Sequence, residues 1–181
     1  MIELELQGEY VMDFFCRRND GLGFREVKNN AVTSDLFIPA DLKEFLKENS
    51  RVSWNNLLKR SEYNGDEQKL IRDIMDDIRR KIETSANVAI FLNSTTKNKP
   101  YSFGGETLKL LYVSGTELRG DEDFEKNIFS AVEEMTYSFH HEGKRIFAFR
   151  PDLSFFINGI FLGYAELKSN FTNQTAKNNG R

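Results

Sequence analysis

The sequence predicts an α/β chain in which a mixed central β-sheet is flanked by helices on both faces. Three observations predict it. Helical periodicity dominates up to about Met135, and the period becomes extended from Arg145 onward. A closing hairpin then carries apolar residues on both faces of both strands: Leu153, Phe155, Phe156 and Ile157, then Ile160, Phe161, Leu162, Tyr164, Ala165 and Leu167. A sheet with one face in water would alternate, so this hairpin should sit inside a sheet covered on both sides.

The elements follow in order. Residues 2–18 read as a helix with Leu6, Val11, Phe14 and Phe15 on one side, stopped by Gly21 and Gly23. Phe24 to Val27 reads as a short strand. Pro39 suits the first turn of a helix that presents Leu42, Phe45 and Leu46. Ser53 is a candidate N-cap before Trp54, Leu57 and Leu58. The clearest helix runs from about Asp66 to Ile82. Leu70, Ile71, Ile74, Met75, Ile78 and Ile82 recur at its spacing, and Arg79, Arg80 and Lys81 lie late, as the helix dipole favours. Asn87 to Leu92 and Leu108 to Val113 read as strands separated by a polar loop, and Asp121 as the cap of a helix with Phe124, Ile128, Val132 and Met135. Leu153 to Ile157 and Ile160 to Lys168 are strands joined by Asn158-Gly159, a strong hairpin turn.

Bulk properties narrow the function. The 181 residues suit one domain, expected over 1–168 with a helical insertion around 39–83, and 16 Phe can supply its core. Residues 169–181 turn polar and read as the point where a longer chain is cut. Lys and Arg total 25 against 28 Asp and Glu, a net charge of −3, which excludes a histone-like binder. Cys16 is the single cysteine and reads as core, so a disulfide framework is excluded. No apolar run reaches the roughly 18 residues of a membrane span. The opening MIELELQGEY has no basic stretch before an apolar one and is not expected to act as a signal peptide. A cytoplasmic location and no membrane partner are the expectation.

Chemistry concentrates at the hairpin, where Asp152, Glu166 and Lys168 interrupt apolar strands. Burying such charges unpaired costs several kcal/mol or more, and a hard divalent cation offsets that. Mg²⁺ prefers oxygen ligands at about 2.1 Å and commonly takes one or two carboxylates. Glu166 and Lys168, two apart on one strand, share a face. The ammonium would then lie where a water and a phosphate oxygen meet, an arrangement suited to phosphodiester hydrolysis. Pro151-Asp152 followed by Glu166-Leu167-Lys168 has the elements of the PD-(D/E)xK nuclease signature. A strict two-residue turn would put Asp152 opposite Ala165 and turn Glu166 to the other side, so a one-residue irregularity is expected between turn and site. The bland alternative is an edge hairpin whose Asp152 and Lys168 lie at exposed ends while Glu166 pairs with an Arg.

The run RPDLSFFINGIFLGYAELKSN resembles the nuclease segment of the motor (restriction) subunit of type I restriction enzymes, and GEYVMDFFCRRNDGLGF is similar, more weakly, to that family's first helix. The resemblance implies a restriction-endonuclease-like core at the start of a longer subunit whose later domains translocate DNA with ATP. It implies Asp152 and Glu166 as metal ligands, Lys168 as the catalytic lysine and Glu9 as a first-helix acid, with Glu5 competing one turn away. It also implies modification and specificity subunits as partners, and double-stranded DNA as substrate. Phe161-Leu162 stands where the family often has Pro-Leu, and Gln174 is followed by Asn178 where a Tyr is usual.

Arg150, Lys144 and Arg145 flank Asp152 in sequence and are candidate phosphate contacts. His140-His141 reads as a solvated hairpin flank, and Arg79, Arg80 and Lys81 as a solvated helix end. Gly115 to Gly120 has P-loop spacing, but Asp121 stands where Lys is required, so no ATP site is read here. The expected function is a Mg²⁺-dependent DNA endonuclease domain of a type I restriction enzyme. The alternatives are another PD-(D/E)xK repair or resolvase-type nuclease, or a non-catalytic docking module.

Overall fold

A computed structural model describes residues 10–17, 20–96, 100–113, 123–141 and 144–167, with the backbone alone for 139–141 and 144–147. Five helices are described: α1 (10–16), α2 (Pro39–Asn49), α3 (Arg51–Leu58), α4 (Glu67–Glu83) and α5 (Val88–Ser94). The strands are β1 (Arg25–Glu26), β2 (Ser102–Phe103), β3 (Glu106–Thr107), β4 (Phe129–Glu133), β5 (Tyr137–His141), β6 (Lys144–Phe149), β7 (Leu153–Ile157) and β8 (Ile160–Ala165). They form a four-stranded sheet in the order β1-β4-β7-β8 and two separate ribbons, β2-β3 and β5-β6. The class is the expected mixed α/β.

By backbone contacts the chain divides into two compact units. One comprises Asn30–Ser130 with Phe156–Leu162. Its core gathers Leu42 and Leu46 of α2, Trp54 and Leu57 of α3, Leu70, Ile71, Ile74 and Ile78 of α4, and Ile157 and Ile160 of the hairpin. Pro39 opens α2 at its first turn, as read from sequence, and α4 starts where the sequence placed it, with Asp66 as its cap accepting from Gln68 N (2.9 Å) and Lys69 N (3.0 Å). Ser53 is not a cap. α3 begins at Arg51, and the preceding Ser50 spends its hydroxyl on Lys109 N (2.7 Å).

Three other expectations fail here for physical reasons. Residues 87–92 are helical: the Asn87 side chain accepts from Ile90 N (2.8 Å), and this cap outweighs the strand preference of Val88 and Ile90. Residues 108–113 join no strand ladder among the described residues, and side chains take several of their backbone groups. Asn158 Nδ2 donates to Leu110 O (2.8 Å), while Asn127 accepts from Tyr112 N (3.0 Å) and donates to Tyr112 O (2.8 Å). The expected helix from Asp121 is instead a 3₁₀ turn, Phe124–Lys126, followed by β4 (residues 114–122 lie outside the description). Ile128 and Val132 are four apart, which suits one face of a helix and equally one face of a strand.

The hairpin turn is of the type the sequence implies. Asn158 (φ 50°) and Gly159 (φ 77°) are both left-handed, the requirement of a type I′ turn. A Cβ on Gly159 would lie 2.4 Å from Ile38 O, so only glycine fits. Asn158 is fully buried, and its Oδ1 accepts from Ile128 N (2.7 Å).

The other unit comprises residues 1–29, Ala131–Phe155 and 163–181. Met12 of α1 packs on Ala131 and Leu153, with Phe15, Phe24 and Phe155 around them at ring separations of 4.9–6.2 Å. Phe14, expected on the apolar side of α1, is 42% exposed. Gly21 lets the chain return over the helix end, since a Cβ there would meet Phe14 O at 2.0 Å.

Candidate functional site

Strand β7 is buried on both faces, with Leu153 and Ile157 on one and Ser154 and Phe156 on the other. Strand β8 is not. It ends the sheet among the described residues and exposes Leu162 and Tyr164, so the expectation of two-sided cover holds for one arm of the hairpin only.

Asp152 stands just before β7, after a buried Pro151 that has no N–H to give a ladder. Its carbonyl accepts from Glu134 N (2.9 Å), at the end of β4. Its half-buried side chain accepts, through Oδ2, the backbone N–H of Leu167 (2.5 Å). Covalent dimensions then put the Cα of Glu166 within about 5 Å of that oxygen. Glu166 follows β8 directly and is exposed, so the burial expected for it from sequence is not found. Among the described residues neither Asp152 nor Glu166 forms an ion pair.

Apolar neighbours fix the surroundings. Ala165 and Leu167 pack in the same cluster as Leu153 and Phe155. Cys16 joins that cluster, and burial, with Glu26 and Asp13 nearby, raises its thiol pKa, as suits a core thiol rather than a nucleophile.

The other sequence-derived candidates divide sharply. Lys168, Glu9 and Glu5 lie outside the described residues. Lys144 and Arg145 lie on β6, and His140 and His141 on β5, with backbone placement only. Arg150 is described, and its guanidinium pairs with Glu134, both largely exposed. Arg79 pairs with Glu83 (2.9 Å), and Lys81 and Arg80 pair with Asp77, consistent with a solvated helix end. Among the described residues no group of three or more His, Cys, Asp or Glu is placed to hold a metal ion.

Sequence reasoning missed Glu134. It takes a left-handed conformation (φ 49°) after β4, donates its N–H to Asp152 O and tethers Arg150. The signal was obscured because this stretch reads equally well as a helix end. Also missed was Ser154, whose Oγ is buried with no hydrogen-bond partner among the described residues.

The model of the family described as Type I restriction enzyme R protein N terminus (HSDR_N) matches residues 25–180. No curated protein and no solved structure matches the chain. A family match over most of the sequence settles the relationship: the chain belongs to the type I restriction enzyme R protein N-terminal family.

Proposed function

We propose that the chain is the Mg²⁺-dependent DNA endonuclease domain of a type I restriction enzyme R subunit, hydrolysing phosphodiester bonds of unmodified duplex DNA. The observation that carries the reading is the hydrogen bond from Leu167 N to the Asp152 carboxylate, which brings the Glu166 backbone beside the Asp152 oxygens. The shared packing of Ala165 and Leu167 with Leu153 and Phe155 supports it. In a strict ladder from the two-residue turn, Ala165 would lie opposite Asp152 and away from Leu153. A one-residue shift between turn and site would put Ala165 with Leu153, and Glu166 on the face of Asp152.

The donor set suits a hard cation: two carboxylates without ion pairs among the described residues, one half-buried and one open to water. Asp152 has one oxygen left after Leu167 is served, and that oxygen with Glu166 would hold the ion. Bound Mg²⁺ would polarise the phosphate and lower the pKa of a water. Lys168 is assigned to orient that water and to stabilise charge on the phosphorane. Arg150, kept beside Asp152 by Glu134, together with Lys144 and Arg145, is assigned to flanking phosphates. In this reading ATP-driven translocation belongs to other domains of the subunit, and the modification and specificity subunits choose the DNA. Among the described residues no helix is long and apolar enough to cross a membrane.

Plasmid nicking tests the reading. The parent chain nicks supercoiled DNA with Mg²⁺ and not with EDTA, and Asp152→Ala and Lys168→Ala each lower the rate by at least about 100-fold. Variants that cut as fast as the parent defeat the assignment.

A further inference from the structure

The unit of Asn30–Ser130 and Phe156–Leu162 holds a cavity whose charged lining is entirely basic. Its volume is about 350 Å³, at the lower end of the range for small-ligand sites. The junction of α2 with α3, Thr95 after α5, Pro100, and Thr107 to Lys109 at the end of β3 meet around it. Arg51 and Lys109 supply the charge. Both are exposed, and neither forms an ion pair among the described residues. Glu106, three residues before Lys109, accepts instead from Asn56 (3.2 Å), and Glu48, three before Arg51, lies outside the lining. Two uncompensated cations around one concavity focus a positive potential, in a chain whose net charge is −3.

The neutral lining adds donors. The hydroxyls of Ser53 and Thr107 have no hydrogen-bond partner among the described residues. Ser50 precedes α3 but does not cap it, because its hydroxyl accepts from Lys109 N (2.7 Å). The backbone N–H groups of Arg51, Val52 and Ser53 are therefore left without an acceptor among the described residues. The same Ser50 bond holds the Lys109 backbone at the start of α3, which brings both cations and the free N–H groups to one cavity.

We infer that this cavity binds the phosphate group of a phosphate ester, held by Arg51 and Lys109 and completed by Ser53, Thr107 and the free N–H groups of α3. Phosphate matches the donors in number and in charge. Its several acceptor oxygens can take charge-assisted bonds from guanidinium and ammonium and still accept from hydroxyl and amide donors. A free nucleotide and a DNA backbone present this same group. The inference uses no residue of the 152–168 hairpin and stands apart from the nuclease reading.

The test is ¹H–¹⁵N NMR of the full 181-residue chain at constant ionic strength and pH 7.5, titrated with sodium phosphate, 5′-dAMP, deoxyadenosine and, in EDTA, a short DNA duplex. Saturable shifts at the amides of Arg51, Val52 and Ser53 are expected with phosphate and with at least one of the two esters, and none with deoxyadenosine. Whichever of 5′-dAMP and the duplex saturates these amides at the lower concentration names the source of the phosphate. Arg51→Gln with Lys109→Gln weakens phosphate binding by about tenfold or more. Lys59→Gln with Arg72→Gln removes the same charge from two exposed positions outside the cavity and leaves binding within about twofold of the parent. Shifts that rise without saturating, equal losses in the two double variants, parental binding in the Arg51/Lys109 variant, or a site that takes inorganic phosphate but neither ester each overturn the inference.

Discussion

The carboxylate of Asp152 accepts the backbone N–H of Leu167, fifteen residues further along the chain. One oxygen of Asp152 thus ties the two arms of the hairpin together beyond the last paired residues, and the other is the one the proposed function gives to the metal. The structural duty of this side chain and its proposed catalytic duty can therefore be separated by substitution.

Asp152→Asn keeps a carbonyl oxygen for Leu167 but loses the charge. It should melt within about 2 °C of the parent while losing nicking. Asp152→Ala loses both, at a further cost of about 1–2 kcal/mol for the half-buried bond, a few degrees in melting temperature for a chain of this size. Thermal melts alongside nicking assays check this, and equal melting of the two variants would show that the Leu167 bond contributes nothing.

The turn is the next point of sensitivity. Asn158 makes side-chain bonds to Ile128 N, Leu110 O and Asn127 Oδ1 from a fully buried position. Asn158→Ala leaves those groups unpaired and should cost about 3 kcal/mol or more in urea unfolding. Gly159→Ala should do at least as much harm, because the new methyl would meet Ile38 O at 2.4 Å and Leu42 N at 2.7 Å in a left-handed backbone.

Helix capping offers a check on where sequence and structure part. Asp66→Ala should cost about 1 kcal/mol, and Ser53→Ala, inside α3, should stay within about 0.5 kcal/mol of the parent. Denaturant midpoints measured side by side decide it. A loss at Ser53 equal to that at Asp66 would restore the cap read from sequence.

Much of the fold was legible because its signals were local. Pro39, Asp66 and Asn158-Gly159 each announce a helix start or a turn through their own chemistry, and the structure has all three. Where the deciding partner lay far away, sequence misled. Residues 108–113 look like a strand, and the side chains of Ser50, Asn127 and Asn158, distant in sequence, take backbone groups that a ladder would use. Residues 128–135 fit a helix until Asp152 and Asn158 supply strand-type bonds to Glu134 and Ile128. The same limit applied to the site. Asp152 and Glu166 stood out as charges among apolar neighbours, whereas Glu134 acquires meaning only through its bonds to Asp152 and Arg150.

Alkaline pH should reveal Tyr101. Burial, and then its hydrogen bond to Asp77 Oδ2 (2.8 Å), raise this phenol far above its ordinary pKa. A group raised in the folded state contributes stability that is whole below its unfolded pKa, about 10, and is lost as pH rises above it. Tyr101→Phe should cost about 1 kcal/mol at pH 7, and the gap to the parent should narrow steadily from about pH 10 upward. Urea melts at pH 7, 9, 10 and 11 measure it, and a constant gap would place the phenol in water.

Divalent-metal binding by the chain tests the site most directly. Titration of Mn²⁺ followed by electron paramagnetic resonance should show a site that Mg²⁺ displaces. Asp152→Asn and Glu166→Gln should each weaken it about tenfold or more, and the double variant should be little worse than either, as expected of two ligands on one ion. Binding that survives both single substitutions unchanged would contradict a shared metal at these carboxylates.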